Sequence, residues 1–329
     1  MLPIWLDFLL AAMICGCLLF PVRTLLASLR IFDEPNRRSS HAVPVVRGAG
    51  ATLALLGVIW LWHGEYYALS VATLGLATVS FWDDCRSLGA GLRLGVHLAV
   101  AGGAVLWLMA LPHPSLPLVV LLLMFGWVTG YINAFNFMDG INGLAAGQAC
   151  LTGLGSAVIG HLAGMPWEHP AMIFAVLLGG AALGFLPHNF PRARVFLGDV
   201  GSASLGFLLA VLVLWLARDG GWHLLPALLA LQANFILDTG VTLLRRVLRR
   251  EPWHQAHRDH FYQRLIRAGK THVFVTAWEM LIQCVVLALV AAYVVSPSPE
   301  GMLLLLPVPV LWLGFFAYAE RSFRKAGAK

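Results

Sequence analysis

The sequence predicts an all-α, polytopic integral membrane bundle, and three observations carry that prediction. Of the 329 residues, 59% are hydrophobic and 12% charged, which is more apolar surface than a water-soluble fold can hide. The apolar residues gather into eleven runs, near 4–26, 49–63, 66–82, 94–111, 116–135, 141–163, 170–187, 200–217, 223–244, 272–295 and 302–319. The basic residues crowd onto alternate connections between those runs, as they do when one face of a membrane protein is cytoplasmic.

The first run opens without a basic segment and ends at Pro21–Arg23 without a small-residue cleavage signature, so it reads as an uncleaved span. Several runs hold only ~16–18 residues, near the lower limit for crossing ~30 Å of hydrocarbon, which makes ten the alternative count. Connections near 64–65, 112–115, 164–169, 218–222 and 296–301 are short. Those near 27–48, 83–93, 136–140, 188–199 and 245–271 carry the charge and the candidate chemistry. Of the 22 Lys and Arg, all but Arg218 lie on this second side or in the tail Arg321–Lys329. That face is therefore expected to be cytoplasmic, with the amino terminus outside, the carboxyl terminus inside, and a single domain over 1–329. The net charge of +6 follows from topology and anionic headgroups and calls for no nucleic acid. Cys15, Cys17, Cys85, Cys150 and Cys284 show no ligand spacing and read as small apolar residues.

The most informative stretch is Tyr131–Gly147, YINAFNFMDGINGLAAG, at the end of an apolar run. Asn133, Asn136, Asp139 and Asn142 fall three apart, which on a helical end stacks them along one side. A capped helix end explains any one of them. Four together, with Gly140, Gly143 and Gly147 to let a ligand approach the backbone, favour a site.

Asp83, Asp84, Asp139, Asp199 and Asp238 all lie at the cytoplasmic ends of apolar runs, where a carboxylate needs a cation or water. In FWDDCRSLGAGLRLG the adjacent Asp83 and Asp84 have Arg86 and Arg93 within reach, and a solvated turn is the plainer alternative. Asp238 has Arg245 and Arg246 nearby as ordinary ion-pair partners. Glu279, two turns inside its run, is expected to snorkel or to make an internal hydrogen bond rather than to act in catalysis. In NFPRARVFLGDVGSASLG, a Gly198–Asp199 turn opens a helix and offers free amides with one oxygen ligand to a phosphate and its Mg²⁺. The first loop, DEPNRRSSHAVPVVRGAG, carries Arg37, Arg38, His41 and Arg47 and could hold an anion or simply set topology. The last loop carries His254, His257, Arg258, His260 and Arg264; its spacing lacks a convincing zinc set, and phosphate contact suits it better.

DEPNRRSSHAVPVVRGAG, FWDD, NAFNFMDGINGLAAG, VFLGDVGS and AHRDHFYQRL, in this order between these spans, resemble the polyprenyl-phosphate N-acetylhexosamine-1-phosphate transferase family over essentially the whole chain. The resemblance implies Mg²⁺-dependent transfer, with Mn²⁺ as the alternative metal, of a phospho-sugar from a UDP-amino sugar to undecaprenyl phosphate, releasing UMP. It implies Asn136 and Asp199 as metal ligands, and Asp83 and Asp84 as the pair acting on the lipid phosphate. Asn142 matches a uracil-contacting position and Arg93 a basic residue near the phosphates. His257, Arg258 and His260 match the loop that grips the diphosphate, with His257 and His260 counted as catalytic. Asp139, Arg38 and His41 complete the expected substrate-binding set. Asn142 stands where many bacterial members have Asp, Ser39 where Lys is common, and the triple-His motif of the muramoyl-pentapeptide branch is absent. The absence of that motif argues against a peptidoglycan precursor as donor and for an O-antigen, capsule or exopolysaccharide initiator, expected in a bacterial inner membrane. A second copy of the chain is carried as an open partner beside the bilayer. An ion-coupled transporter is the rival class, disfavoured because the polar residues cluster at one face rather than the midplane. An inactive scaffold is disfavoured by the complete acidic set.

Overall fold

A computed structural model describes residues 4–35, 43–110, 116–252, 257–296 and 301–327. The described chain is a bundle of helices: α1 (Ile4–Ser28), α2 (Ala51–His63), α3 (Tyr67–Cys85), α4 (Ala90–Ala110), α5 (Leu118–Phe137), α6 (Leu144–Leu162) and α7 (Pro170–Asn189). There follow α8 (Gly198–Gly220), α9 (Leu225–Ala230), α10 (Ala233–Leu248), α11 (Phe261–Arg267), α12 (His272–Val295) and α13 (Pro307–Lys325). Two short strands, β1 (Phe32–Asp33) and β2 (Val45–Val46), pair antiparallel.

α8 is the axis of the molecule. Every residue from Val200 to Ala217 is buried, as a helix apolar all round must be, with α2, α3, α5, α6 and α7 packed against it. Glycines permit the closest approaches. A Cβ on Gly50 would sit 2.4 Å from Gly201 Cα, so α2 begins directly against the first turn of α8.

Ten of the eleven apolar runs each coincide with one α-helix and the run 223–244 with two, and they are not eleven equivalent spans. By length and composition, seven described helices can cross a membrane, and the pair 222–230 and 233–248 makes an eighth if counted as one. α2 has 13 residues, about 20 Å of helix, too short for ~30 Å of hydrocarbon. α6 is buried at 14 positions, so neighbouring helices rather than lipid cover its polar groups. The expected ninth span is bent by 70° between α9 and α10. Its break exposes the Leu231 carbonyl, which accepts from Gln148 Nε2 at 2.8 Å and from Gln283 Nε2. Three helices thus meet at a polar joint inside the apolar core, where backbone groups have no water to turn to. Nearby, Asn234 Nδ2 donates to buried Glu279 at 2.6 Å, the internal hydrogen bond expected of that carboxylate.

Candidate active site

The site assembles around the first turn of α8, and backbone pairing explains how. β2 continues into residues that pair with 195–197: Phe196 N donates to Val46 O at 2.8 Å, Ala49 N to Phe196 O, and Gly50 N to Leu197 O. Arg47 lies between these contacts and is thereby set beside Asp199. Its Nε donates to Asp84 at 2.7 Å, and its Nη2 lies 3.4 Å from Asp199. Burial opposes the Arg47 charge, but Asp84, Asp199 and Asp33 outweigh it and raise its pKa above the ordinary arginine value.

Asp83 and Asp84 end α3 and separate in role. Asp84, whose side chain is wholly buried, accepts from Asp199 N at 2.8 Å and Val200 N at 3.0 Å besides Arg47. It caps α8, a position where the helix dipole and the unpaired amides both favour a carboxylate. The amides expected to be free for a phosphate are therefore occupied by Asp84. Gly198 has φ +70°, and a Cβ there would lie 2.5 Å from Asp84 Oδ2, so only glycine admits this cap. Asp83 accepts from Leu88 N at 2.6 Å and from Arg93 Nη1, in the first turn of α4, at 3.0 Å. Arg93 also approaches Asp199 at 3.8 Å. Arg47, not Arg86, is the partner of Asp84.

Asn136 Nδ2 donates to Asp199 Oδ1 at 3.2 Å. Asp83 and Asp199 both approach Arg93 Nη1, at 3.0 and 3.8 Å, and carboxylates gathered this way stay ionised together only with a cation beside them. Among the described residues no three His, Cys, Asp or Glu side chains converge as a metal set. The donor chemistry still fits Mg²⁺, which takes hard oxygens from one or two carboxylates and keeps several waters. Asn136 offers an oxygen at the same place when its amide is turned over, since the two orientations differ only by the exchange of O and N.

The expected stack of Asn133, Asn136, Asp139 and Asn142 does not form, because α5 ends at Phe137 and Gly143 enters α6 with φ +78°. Asn133 turns to the Thr129 carbonyl of its own helix. Asn142 is held by Pro191 O, Thr276 and His272, leaving its buried Oδ1 without a hydrogen-bond partner. Asp139 is half-buried, and burial followed by the nearby Asp199 charge raises its pKa well above the carboxylate range. The glycines expected to open the backbone to a ligand serve packing instead. The space of a Cβ is filled by the Tyr262 hydroxyl at Gly140, the Phe190 ring at Gly143 and Met280 at Gly147.

The last loop docks on the end of α5. His257 and His260 have ring centroids 6.5 and 5.9 Å from Phe137, and Tyr262 Oη donates to Phe137 O at 2.9 Å. Burial, then His260 and Arg246, lower the His257 pKa to about 4, so it is a neutral imidazole at pH 7. Asp238 pairs with neither Arg245 nor Arg246; its carboxylate lies 2.9 Å from His260 Nδ1 and accepts from the amides of Phe261 and Tyr262. Arg264, expected at a phosphate, is taken by Glu320 and the Asp259 carbonyl. Arg258 contributes its carbonyl to Arg267. Arg37, Arg38, Ser39, His41 and His254 lie outside the described residues. Arg47, one of the first-loop cations, and Asp238, one of the five boundary carboxylates, stood outside the expected catalytic, substrate-binding and metal sets, and the structure adds them to the site.

The sequence is similar to those of known proteins. The sequence model of glycosyl transferase family 4 matches residues 66–217, from α3 through most of α8. A decaprenyl-phosphate N-acetylglucosaminephosphotransferase of Mycobacterium tuberculosis is 29% identical, over 77% of this chain and 73% of its own. Its counterpart in Mycolicibacterium smegmatis is 30% identical, over 76% and 72%. A phospho-N-acetylmuramoyl-pentapeptide-transferase of Acaryochloris marina is 31% identical, over 72% and 69%. With its carboxylates and arginines gathered at one end of a multi-pass helical bundle, this chain belongs to glycosyl transferase family 4, the polyprenyl-phosphate N-acetylhexosamine-1-phosphate transferases.

Proposed function

We propose that this enzyme transfers N-acetylglucosamine 1-phosphate, or a related N-acetylhexosamine 1-phosphate, from its UDP conjugate to undecaprenyl phosphate, releasing UMP. The observation that carries this reading is the convergence of Asp83, Asp84 and Asp199 with Arg47 and Arg93 at the start of α8. Three carboxylates against two guanidinium groups leave negative charge in a partly buried place, suited to a divalent cation and to phosphates bound through it. The M. tuberculosis and M. smegmatis relatives are named for this transfer to decaprenyl phosphate, which supports the donor class.

Asp199 and Asn136 would hold Mg²⁺, which when bound neutralises diphosphate charge and polarises its oxygens. Arg93, the more exposed of the two arginines, is the cation able to turn from Asp83 to a substrate phosphate. Asn142 Oδ1 can accept from an N–H such as that of uracil. One oxygen of the lipid phosphate attacks the sugar-bearing phosphorus, forming a new diphosphate, while the bond to the UMP oxygen breaks. The attacking oxygen is already anionic at neutral pH, so it needs orientation more than a strong base. Asp83 supplies orientation through Arg93, its partner at 3.0 Å. Asp84 is too fully engaged to act as a nucleophile, which favours direct attack over an aspartyl-phosphate route.

The enzyme is placed by this reading in a bacterial inner membrane, amino terminus outside and carboxyl terminus cytoplasmic, initiating an O-antigen, capsule or other envelope glycan. Purified protein incubated with undecaprenyl phosphate, Mg²⁺ or Mn²⁺ and a panel of UDP-sugars should release UMP with a UDP-N-acetylhexosamine. Full activity in excess EDTA would end the metal assignment. UMP release from UDP-sugar alone, in a burst of about one equivalent, would replace direct attack by the covalent route.

A further inference from the structure

We propose that Asp238 is a positioning residue that acts through His260, fixing the imidazole so that Nε2 alone is presented to the diphosphate of the sugar donor. The inference rests on the transfer reaction proposed above.

Asp238 is 1% exposed and His260 2% exposed, so both side chains are held inside the protein. Asp238 Oδ1 lies 2.9 Å from His260 Nδ1, a separation at which the ring nitrogen donates to the carboxylate. A proton held at Nδ1 leaves Nε2 as the one atom of the ring free to take or give a proton. Nε2 is buried and has no hydrogen-bond partner. An orphaned buried nitrogen of this kind is costly until something bonds to it. The ring lies 5.9 Å from that of Phe137, the residue next to Asn136, and 5.0 Å from the His257 ring.

The rest of the Asp238 carboxylate supports the same orientation. Both oxygens accept from Phe261 N, Oδ2 from Tyr262 N, and Oδ1 from Thr242 one turn along α10. The backbone that carries His260 is thus clamped by the carboxylate that orients its ring. Other titratable groups around the pair are His257 and Asp259 in the loop, Arg246 on α10, Tyr262 on α11, Asp139 beyond α5 and Glu279 on α12. Arg246 is bonded to Asp259 and Glu251 and does not compete for Asp238.

The test is a double-mutant cycle. Asp238→Asn keeps an oxygen for the amides of Phe261 and Tyr262 but donates to His260 Nδ1, which drives the ring proton to Nε2. Donor kcat/KM should fall about 10–100-fold, the usual scale for losing an orienting partner. In a His260→Gln background the same change should cost no more than about twofold, because the residue through which Asp238 acts is gone. Equal losses in both backgrounds, or no loss in either, would overturn the proposal. ¹⁵N resonances of His260 give a readout that needs no turnover and serves also if Asp238→Asn does not fold. A protonated Nδ1 in the wild-type protein supports the pair, and an unprotonated Nδ1 overturns it. A wild-type protein that releases no UMP with any donor but shows the Nδ1 proton would sink the transfer reading and leave the pair standing.

Discussion

At the scale of residues, Asp83 and Asp84 are adjacent in sequence but face different tasks. Asp84 accepts from two amides of α8 and from Arg47, so Asp84→Ala orphans two helix-terminal donors and leaves Arg47 with Asp199 alone at 3.4 Å. A loss of about 1–3 kcal/mol is expected, measured as a lower midpoint of thermal unfolding in detergent, with activity lost as a consequence. Asp83→Asn keeps the Leu88 amide as a partner and should leave that midpoint within a few degrees. Its turnover should fall at least about 100-fold while affinity for the UDP-sugar stays within about tenfold. His257 makes a prediction about pH. Its folded pKa, about 4, lies below the ordinary histidine value of 6.5, so the unfolded chain binds the extra proton between those values. Stability from this residue is complete above pH 6.5 and is lost as pH falls toward 4; His257→Gln should flatten that part of a stability–pH curve. The acidic positions themselves were legible in the sequence, because carboxylates at the ends of apolar runs are conspicuous. Which partner each one took was not. Arg47 reaches Asp84 across 37 residues through strand pairing, and no local spacing encodes that.

At the scale of elements, the joint between α9 and α10 is held by side chains from two other helices. Gln283→Leu removes one donor to the Leu231 carbonyl, and Gln148→Leu the other. Either change alone should cost about 1–2 kcal/mol, since one amide still satisfies the carbonyl. Together they should cost more than the sum, as an unsatisfied group in the membrane interior results. Additive losses in thermal unfolding would show that the joint does not depend on these amides. The run at 223–244 read as one span because apolar composition does not reveal a bend. Gln232 was the local sign of it, a polar residue buried at the break. The helical stack expected over Asn133–Asn142 failed for a related reason. Three-residue spacing describes a face only while the helix continues, and this one stops at Phe137.

At the scale of the whole molecule, the one-sided distribution of arginine yields a map that single-cysteine labelling can check. Positions in 192–194 and 258–270 should react from the cytoplasmic side, and 164–168 from outside; labelling of the Arg258 loop from outside intact cells would reverse the topology. The bundle itself was legible because lipid demands long apolar runs, and the order of those runs survives in the order of the helices. How many of them lipid actually surrounds was less so, since α6 and α8 owe their apolar character to burial within protein. One long-range tie has a consequence in time. Glu320 on α13 bonds Arg245 of α10 and Arg264 of α11, and the Phe316 ring stacks on Phe261 at 4.4 Å. Every residue named in the pocket leaves the ribosome before α13 does. A nascent chain therefore carries its acidic cluster into the membrane while the histidine loop still lacks its anchor, so competence should arrive only when the α13 segment has been made and docked.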